Sequence, residues 1–237
     1  MKKILIFLLL ICSLLIGGCE DSDSIFNSPA TVDGLSLLGL SNGRTLVYIQ
    51  TDTTIIRDTT VTPNAYTVSI TDTTLSILIT GTGNDWIIHN GLDKLINLKI
   101  ASSSVIQNGY WKKINGLDSL IYFASPPLLI ERALNSTMVW DYYTPFYEPN
   151  TTSVYLPFYY ANFGFHVTKE FVGIETIITP AGEFDAYRYD LQLFTTPFEN
   201  EPAAFVTEYF VPNVGLVKQK TNIGAYRRSL ILVNYID

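Results

Sequence analysis

The fold class is decided by the stretch Tyr187-Arg188-Tyr189-Asp190-Leu191-Gln192-Leu193, in which large apolar side chains alternate with polar ones. Successive side chains of a strand point to opposite faces of a sheet, so this alternation predicts a strand with one face on a core and one in water. The same period of two occurs in residues 66–70 and again in residues 75–79. We interpret the intervening Asp72-Thr73-Thr74 as a turn between two strands.

Turn-forming residues separate the alternating runs at short, regular intervals. Gly, Pro and Asn are common at these positions because they supply the backbone angles that tight turns need. This spacing, with little helical periodicity, predicts an all-β fold of roughly ten or more antiparallel strands, arranged as a meander, a half-barrel or a sandwich. The turn signals are residues 62–64, 81–85, 90–91, 108–109, 115–116, 180–182 and 212–215.

Two further segments refine this architecture. Residues 230–233, with the sequence LILV, are apolar on both faces, which predicts a central strand that is covered on both sides. The one helical candidate is residues 33–40, which are rich in leucine and begin with Asp33 as a candidate N-cap. We expect this short helix to cover one face of the sheet.

The composition is that of a folded, acidic protein. Of the 237 residues, 47% are hydrophobic and only 16% are charged, which is typical of a globular chain and not of a disordered one. A net charge of −7 excludes a broadly basic nucleic-acid binder. Two histidines and two cysteines leave little material for a metal site, and no phosphate-binding glycine loop occurs. We therefore expect neither a metal nor another cofactor.

The N-terminus carries the features of a secretory signal. Lys2 and Lys3 precede an apolar run at residues 4–16, which is too short to span a bilayer comfortably. The following segment, Leu15-Ile16-Gly17-Gly18-Cys19, resembles the lipobox of bacterial lipoproteins. The resemblance implies that residues 1–18 are removed as a signal peptide and that Cys19 receives a diacylglyceryl group. The membrane is then a partner through this lipid anchor.

An acidic tether follows the lipobox. Residues 19–32 comprise the lipidated cysteine and the tether, and residues 33–237 are expected to form a single β-rich domain. The tether sequence Glu20-Asp21-Ser22-Asp23-Ser24 suffices as a solvated linker, and it also resembles the surface-export signal of some Bacteroidetes lipoproteins. We expect a location in the bacterial cell envelope, at the outer membrane. The sequence leaves open which side of the membrane the domain faces and which oligomeric state it adopts.

Three segments of the domain carry a second resemblance. Residues 172–189 are similar to a V-x-V-P-A-G-x-F-x-A-Y hairpin, and residues 209–218 are similar to a Y-x-x-x-V-G-L-V-K hairpin. Residues 43–48 are similar to a G-x-x-W-x-Y opening strand, with Leu46 in place of the tryptophan. Together they resemble a broad group of bacterial lipoproteins, some of which are assigned to the LolA/LolB-like superfamily. The resemblance implies a half-barrel, a curved antiparallel sheet over helices, and brings no established activity.

Aromatic residues are concentrated between residues 140 and 165. Such a cluster either closes the end of a core, lines a cavity for an apolar ligand, or forms a platform for sugar rings. Our leading hypothesis is a non-enzymatic binding or envelope-maintenance module for an apolar or lipid-like ligand, and the alternative is a surface glycan-binding or adhesion module. The candidate ligand-binding residues are Trp140, Tyr142, Phe146, Tyr147, Tyr155 and Tyr159.

Catalytic motifs are scarce in the sequence. No nucleophile elbow or His-Glu-x-x-His motif occurs, and His89 and His166 are interpreted as solvated or core-edge residues. A carboxylate-dependent hydrolase such as a glycoside hydrolase remains a third hypothesis, because its two carboxylates are placed by the fold and leave no spacing motif. The carboxylates that cluster in sequence are Glu170, Glu175, Glu183 and Asp185, and we expect them to form the polar face of a hairpin.

Overall fold

A computed structural model describes residues 32–60, 65–122, 126, 128–131, 134, 137–143, 164–195 and 201–237. The predicted signal peptide, the lipidated cysteine and nearly all of the tether lie outside these residues. Most of the aromatic segment also lies outside them. Among the described residues, no helix has the length and apolar character needed to cross a membrane.

The described residues form β-strands almost throughout, together with one 3-10 helix, Gly34–Leu38. The all-β prediction is therefore confirmed. The strands are β1 (Thr45–Asp58), β2 (Ala65–Thr82), β3 (Asp85–Asn90), β4 (Asp93–Ile100), β5 (Ser104–Ile114), β6 (Leu117–Tyr122), β7 (Leu128–Glu131), β8 (Met138–Tyr143), β9 (Gly164–Thr179), β10 (Gly182–Thr195), β11 (Ala204–Val211), β12 (Gly215–Ile223) and β13 (Tyr226–Ile236).

All of these strands belong to one antiparallel sheet, so the predicted meander is confirmed and the strands do not divide into a two-sheet sandwich. Strands β1 to β6 follow one another in order, as do β8 to β13, and β13 pairs with β1 to join the two halves. Strand β7 pairs with the first residues of β5, next to β6. The most distant pairing in sequence is therefore the seam between β1 and β13.

The alternating stretch that decides the fold class behaves as predicted. Tyr187, Tyr189, Leu191 and Leu193 of β10 are all buried in the core, whereas the intervening polar side chains are half-buried or exposed. Residues 230–233 lie in β13, which is central between β1 and β12. Their two faces differ, because the side chains at 230 and 232 are buried and those at 231 and 233 are half-buried.

The predicted helix over residues 33–40 is a shorter 3-10 helix. Asp33 caps it as expected, since its side chain accepts a hydrogen bond from the backbone N–H of Leu35 at 3.0 Å. Leu37 and Leu38 are buried in the core, and the helix packs against β5, β7, β11 and β12. It is the one helix among the described residues, whereas the LolA/LolB-like resemblance implies a set of helices.

The prediction of a turn at residues 72–74 is wrong. Strand β2 runs through these residues without a break and pairs with β1 in one continuous register. The apolar side chains change face here: Tyr66, Val68 and Ile70 are 55–64% exposed, whereas residues 75, 77 and 79 are buried. The first set lies at even positions and the second at odd positions, so the two sets point to opposite faces of one strand. In the sequence alone, such a change of face resembles a turn between two strands.

The prediction of a turn at Asn108-Gly109 is also wrong. Strand β5 continues through both residues, and β4 pairs Asn97 with Gly109 and Leu98 with Gln107. Asn108 is thus the extra residue of a β-bulge. Glycine is required beside it, because a Cβ at position 109 would lie 2.4 Å from the carbonyl oxygen of Ile121. Of the other turn signals, residues 62–64 lie outside the described residues, and the rest join consecutive strands.

Candidate functional site

The aromatic residues proposed from the sequence fall largely outside the described residues. Trp140 and Tyr142 lie in β8, where their backbones pair with Val167 and Phe165 of β9. Nothing is described of their side chains. Cys19, Phe146, Tyr147, Tyr155 and Tyr159 lie outside the described residues, so lipidation at Cys19 and an aromatic ligand site both stay predictions.

A surface groove lies on strands β4, β5 and β6, a region to which the sequence assigned no function. Its volume is about 270 Å³, just below the size range of common ligand pockets. It combines one large aromatic ring with two carboxylates and three ammonium groups. The lining residues are Asp93, Lys94, Leu95, Trp111, Lys112, Lys113 and Asp118.

Tight hairpins bring these residues together. Strands β5 and β6 meet at Asn115-Gly116, where both residues adopt positive φ angles of 52° and 81°. This turn sets the register in which Lys113 pairs with Asp118. The β3–β4 hairpin places Lys94 opposite His89 in the same way. Three antiparallel strands therefore bring acidic, basic and aromatic side chains to one surface.

Two ion pairs hold four of the five charged side chains of the groove. Lys113 Nζ donates to Asp93 Oδ1 at 2.6 Å, and this hydrogen bond raises the pKa of Lys113. Lys94 Nζ lies 3.8 Å from Asp118 Oδ2 and 4.4 Å from the centre of the Trp111 ring. Lys94 therefore lies over one face of the indole in a cation–π contact. The groove offers hydrogen-bond donors and acceptors side by side beside an aromatic ring.

The indole nitrogen of Trp111 is shielded from solvent and has no acceptor among the described residues. Shielded polar atoms in folded proteins almost always have a hydrogen-bond partner, because leaving one unpaired costs free energy. Trp86 on the neighbouring β3 shows the usual arrangement, since its indole N–H donates to the carbonyl of Gly83 at 3.0 Å. Trp111 therefore contributes its ring, and not this shielded N–H, to the surface of the groove.

The two histidines lie at core edges, as predicted. His89 Nε2 is 2.7 Å from Thr80 Oγ1, and burial together with the charge of Lys94 lowers the pKa of His89. His166 is half-buried, with its ring 6.0 Å from that of Phe194. No group of three or more His, Cys, Asp or Glu side chains suited to a metal ion occurs within the described ranges.

The carboxylates that cluster in sequence form a polar surface, as expected. Glu170, Glu183 and Asp185 are exposed. Glu175 accepts a hydrogen bond from Arg188 Nη1 at 2.7 Å, and Arg188 also binds both carboxylate oxygens of Asp190. These contacts hold three side chains of β9 and β10 in one ionic cluster.

A buried ionic cluster was missed by the sequence reasoning. Lys169 Nζ donates to Glu208 Oε2 at 2.7 Å and to the carbonyl of Leu129 at 2.8 Å. Gln219 Nε2 donates to the other Glu208 oxygen at 3.1 Å. The sequence did contain a signal for this cluster, because Lys169 and Glu208 occupy positions that the alternation of their strands assigns to the apolar, core-facing side. Each oxygen of Glu208 has a donor, so we interpret the cluster as structural.

Comparisons with known proteins identify no family. No protein-family model matches the sequence, and no curated protein matches it. A candidate lipoprotein from Parabacteroides distasonis is 14% identical, with a TM-score of 0.38, and the match covers 86% of this chain and 99% of that one. A candidate exported protein with a YmcC-like fold from Bacteroides fragilis is 12% identical, with a TM-score of 0.36 and coverage of 87% and 100%.

A third solved structure is a β-barrel-like protein with a domain of unknown function from Brucella abortus. It is 8% identical, with a TM-score of 0.35, and the match covers 83% of this chain and 98% of that one. Scores this low imply neither common ancestry nor a common activity.

Proposed function

We propose that this protein is a lipid-anchored, non-enzymatic envelope module that binds a hydroxyl-rich ligand of the glycan class in the groove beside Trp111. The envelope location is supported by the signal features and the lipobox-like segment that ends at Cys19. Anchoring at the outer membrane, with the domain held by the acidic tether, is part of the same proposal. The choice of ligand class is supported by the chemistry of the groove.

The observation that carries the ligand class is the lining of the groove, in which the Trp111 ring lies among carboxylates and ammonium groups. A sugar hydroxyl both donates and accepts, so it can accept a hydrogen bond from Lys94 and donate one to Asp118. The C–H faces of a sugar ring also pack on aromatic rings. An acyl chain would satisfy none of the polar atoms and would separate the ion pairs from water at a free-energy cost.

The apolar-ligand hypothesis has separate support from the density of aromatic residues between 140 and 165. It concerns different residues from the groove, so the two hypotheses can be distinguished by mutation. The buried face of strands β9 to β11 carries Tyr189, Phe210 and the Lys169–Glu208 pair. An acyl chain would therefore need a site formed elsewhere.

A glycan array and an acyl-ligand titration on the full lipidated chain test the proposal. We expect binding to at least one soluble oligosaccharide, and Trp111→Ala should weaken it at least about tenfold, or about 1.4 kcal/mol. Trp86→Phe is the matched control, because Trp86 is half-buried on the neighbouring strand and its N–H already has an acceptor. Trp140→Ala should likewise leave glycan binding unchanged.

Two results would contradict the glycan assignment. One is the absence of binding to every glycan on the array. The other is binding of palmitate or phospholipid vesicles that is lost in Trp140→Ala or Phe146→Ala and retained in Trp111→Ala. The second result would support the apolar-ligand hypothesis in its place. Hydrolysis of a bound oligosaccharide that is lost in Asp118→Asn would instead support the hydrolase.

A further inference from the structure

Strand β2 has one open edge over much of its length. It pairs with β1 from Ala65 to Leu78, but with β3 only from Ile77 onward. The last hydrogen bond at that junction runs from the N–H of Gly91 to the carbonyl of Ser76 at 3.0 Å. From Ala65 to Thr74 every residue is exposed. Among the described residues, nothing pairs with this edge.

Over residues 65–71, the open edge lacks the features by which natural proteins protect edge strands. Those features are charged side chains, proline, bulges and short strand length. Residues 65–71, with the sequence AYTVSIT, contain no charge and no proline. The register with β1 has no shift anywhere along β2. Tyr66, Val68 and Ile70 also place three exposed apolar side chains on one face. An unprotected edge of this kind is a template for another strand.

We propose that this edge pairs with the same edge of a second copy, in an antiparallel arrangement whose two-fold axis passes through Val68. Directly opposite residues in an antiparallel pair lie on the same face, so a two-fold axis always makes one residue its own partner. With Val68 on the axis, Tyr66 lies opposite Ile70 on both sides of it. Aromatic and β-branched side chains are favourable cross-strand partners.

Charge complementarity favours a second copy as the occupant. Asp72 lies on the same face as Val68, one pair beyond the end of the apolar set, and Arg57 lies opposite Tyr66 on β1. In the dimer, Asp72 of one copy and Arg57 of the other lie about 12 Å apart between Cα atoms, as estimated from strand spacing and rise. Two such opposite-charge pairs, one at each end, flank the uncharged centre. Seven paired residues make a small interface, so the dimer is weak and reversible.

Disulfide trapping in the full lipidated chain, purified in detergent, tests this register. Val68→Cys places the two thiols directly opposite, within the Cα separation that a disulfide needs, so it should crosslink at least about tenfold faster than Thr67→Cys. Thr67 is the matched control, because it is also exposed but lies opposite Ser69 of the second copy. Both variants retain Cys19, which therefore cannot account for a difference between them.

A second variant tests the interface without a crosslink. Val68→Lys/Ile70→Lys places like charges opposite one another, so the dimer seen by sedimentation velocity should dissociate, while the circular dichroism spectrum stays unchanged because both side chains are exposed. Equal crosslinking rates for Val68→Cys and Thr67→Cys would overturn the pairing. A lysine variant that dimerises like the wild type would also overturn it, because the contact must then lie elsewhere.

Discussion

The ammonium group of Lys169 lies 2.7 Å from a carboxylate oxygen of Glu208, and the two side chains are only 4% and 1% exposed. Lys169 is on β9 and Glu208 on β11, so the ion pair bridges across β10. The same ammonium lies 4.9 Å from the Tyr189 ring and 5.1 Å from the Phe210 ring. It also binds the backbone of β7, which is paired with β5 in the other half of the sheet. One side chain thus connects both halves of the sheet.

Removing one charge of this pair should lower the free energy of unfolding more than removing both charges. Lys169→Met leaves the Glu208 carboxylate buried without its counter-charge, so we expect a loss of about 3–5 kcal/mol in the free energy of unfolding. Lys169→Met/Glu208→Leu should recover much of that loss, because two apolar side chains carry no desolvation cost. Urea denaturation of both variants measures the difference. A double variant less stable than the single one would contradict this account.

Arg44 is expected to anchor one end of the sheet. Its guanidinium donates to the carbonyls of Gly39 and Asn213 and forms an ion pair with Asp237. It therefore joins the 3-10 helix, the turn between β11 and β12, and the end of β13. Arg44→Met should lower the free energy of unfolding by about 2–3 kcal/mol, because two carbonyls lose a charged donor.

Asp237→Asn is the matched control for Arg44. Its side chain is 58% exposed, so we expect the loss to be well below that of Arg44→Met. Thermal unfolding of the two variants compares them. Equal losses would show that the ion pair, and not the pair of carbonyl contacts, is the anchor.

Asp52 should make stability depend on pH in the acid range. Burial alone would raise its pKa, but hydrogen bonds from Arg228, Tyr226 and Gln50 outweigh that effect and hold the pKa below its ordinary value of 3.8. The folded state thus favours the carboxylate. Its stabilisation is complete above the ordinary value and is lost as the pH falls through the lower folded value. Burial and the Asp52 contact raise the pKa of Tyr226 to about 12.

Melting temperatures measured between about pH 2 and pH 6 test this predicted direction of the pH dependence. Asp52→Asn should be less stable than the wild type at pH 6, and the difference should shrink toward pH 2. Arg228→Gln should also reduce this pH dependence, because it removes the hydrogen bond of 2.8 Å that Arg228 Nε donates to Asp52 Oδ1. A constant difference between Asp52→Asn and the wild type across the range would contradict the assignment.

Lipid anchoring should depend on Cys19 alone. Cys19→Ser should abolish acylation and block lipoprotein-type cleavage after Gly18, because the thiol is the group that accepts the lipid. Detergent-phase partitioning and the mass of the mature protein measure the outcome. Cys12→Ser is the control and should be processed normally, since Cys12 lies within the predicted signal peptide. Normal processing of Cys19→Ser would remove the basis for the anchor.

Much of the local structure was determined by the sequence alone. The alternation in residues 187–193 predicts which side chains enter the core, because the direction of a side chain on a strand depends only on its parity. Asp33 predicts a helix start, and Pro212-Asn213-Val214-Gly215 predicts a turn, because these residues satisfy local backbone requirements. Such features need no information from distant parts of the chain.

Some segments have a local sequence that fits both a turn and a strand, and only the tertiary structure decided between the two. Residues 72–74 and 108–109 have the composition of turns, yet both lie within strands, because pairing with β1 and β4 outweighs local preference. The same holds for partners that are distant in sequence. Lys169 contacts Glu208, and Lys94 contacts Trp111, only because the registers of the hairpins align their strands. A period of two specifies the face of a residue, whereas its neighbour across the sheet depends on the order and register of all the strands between.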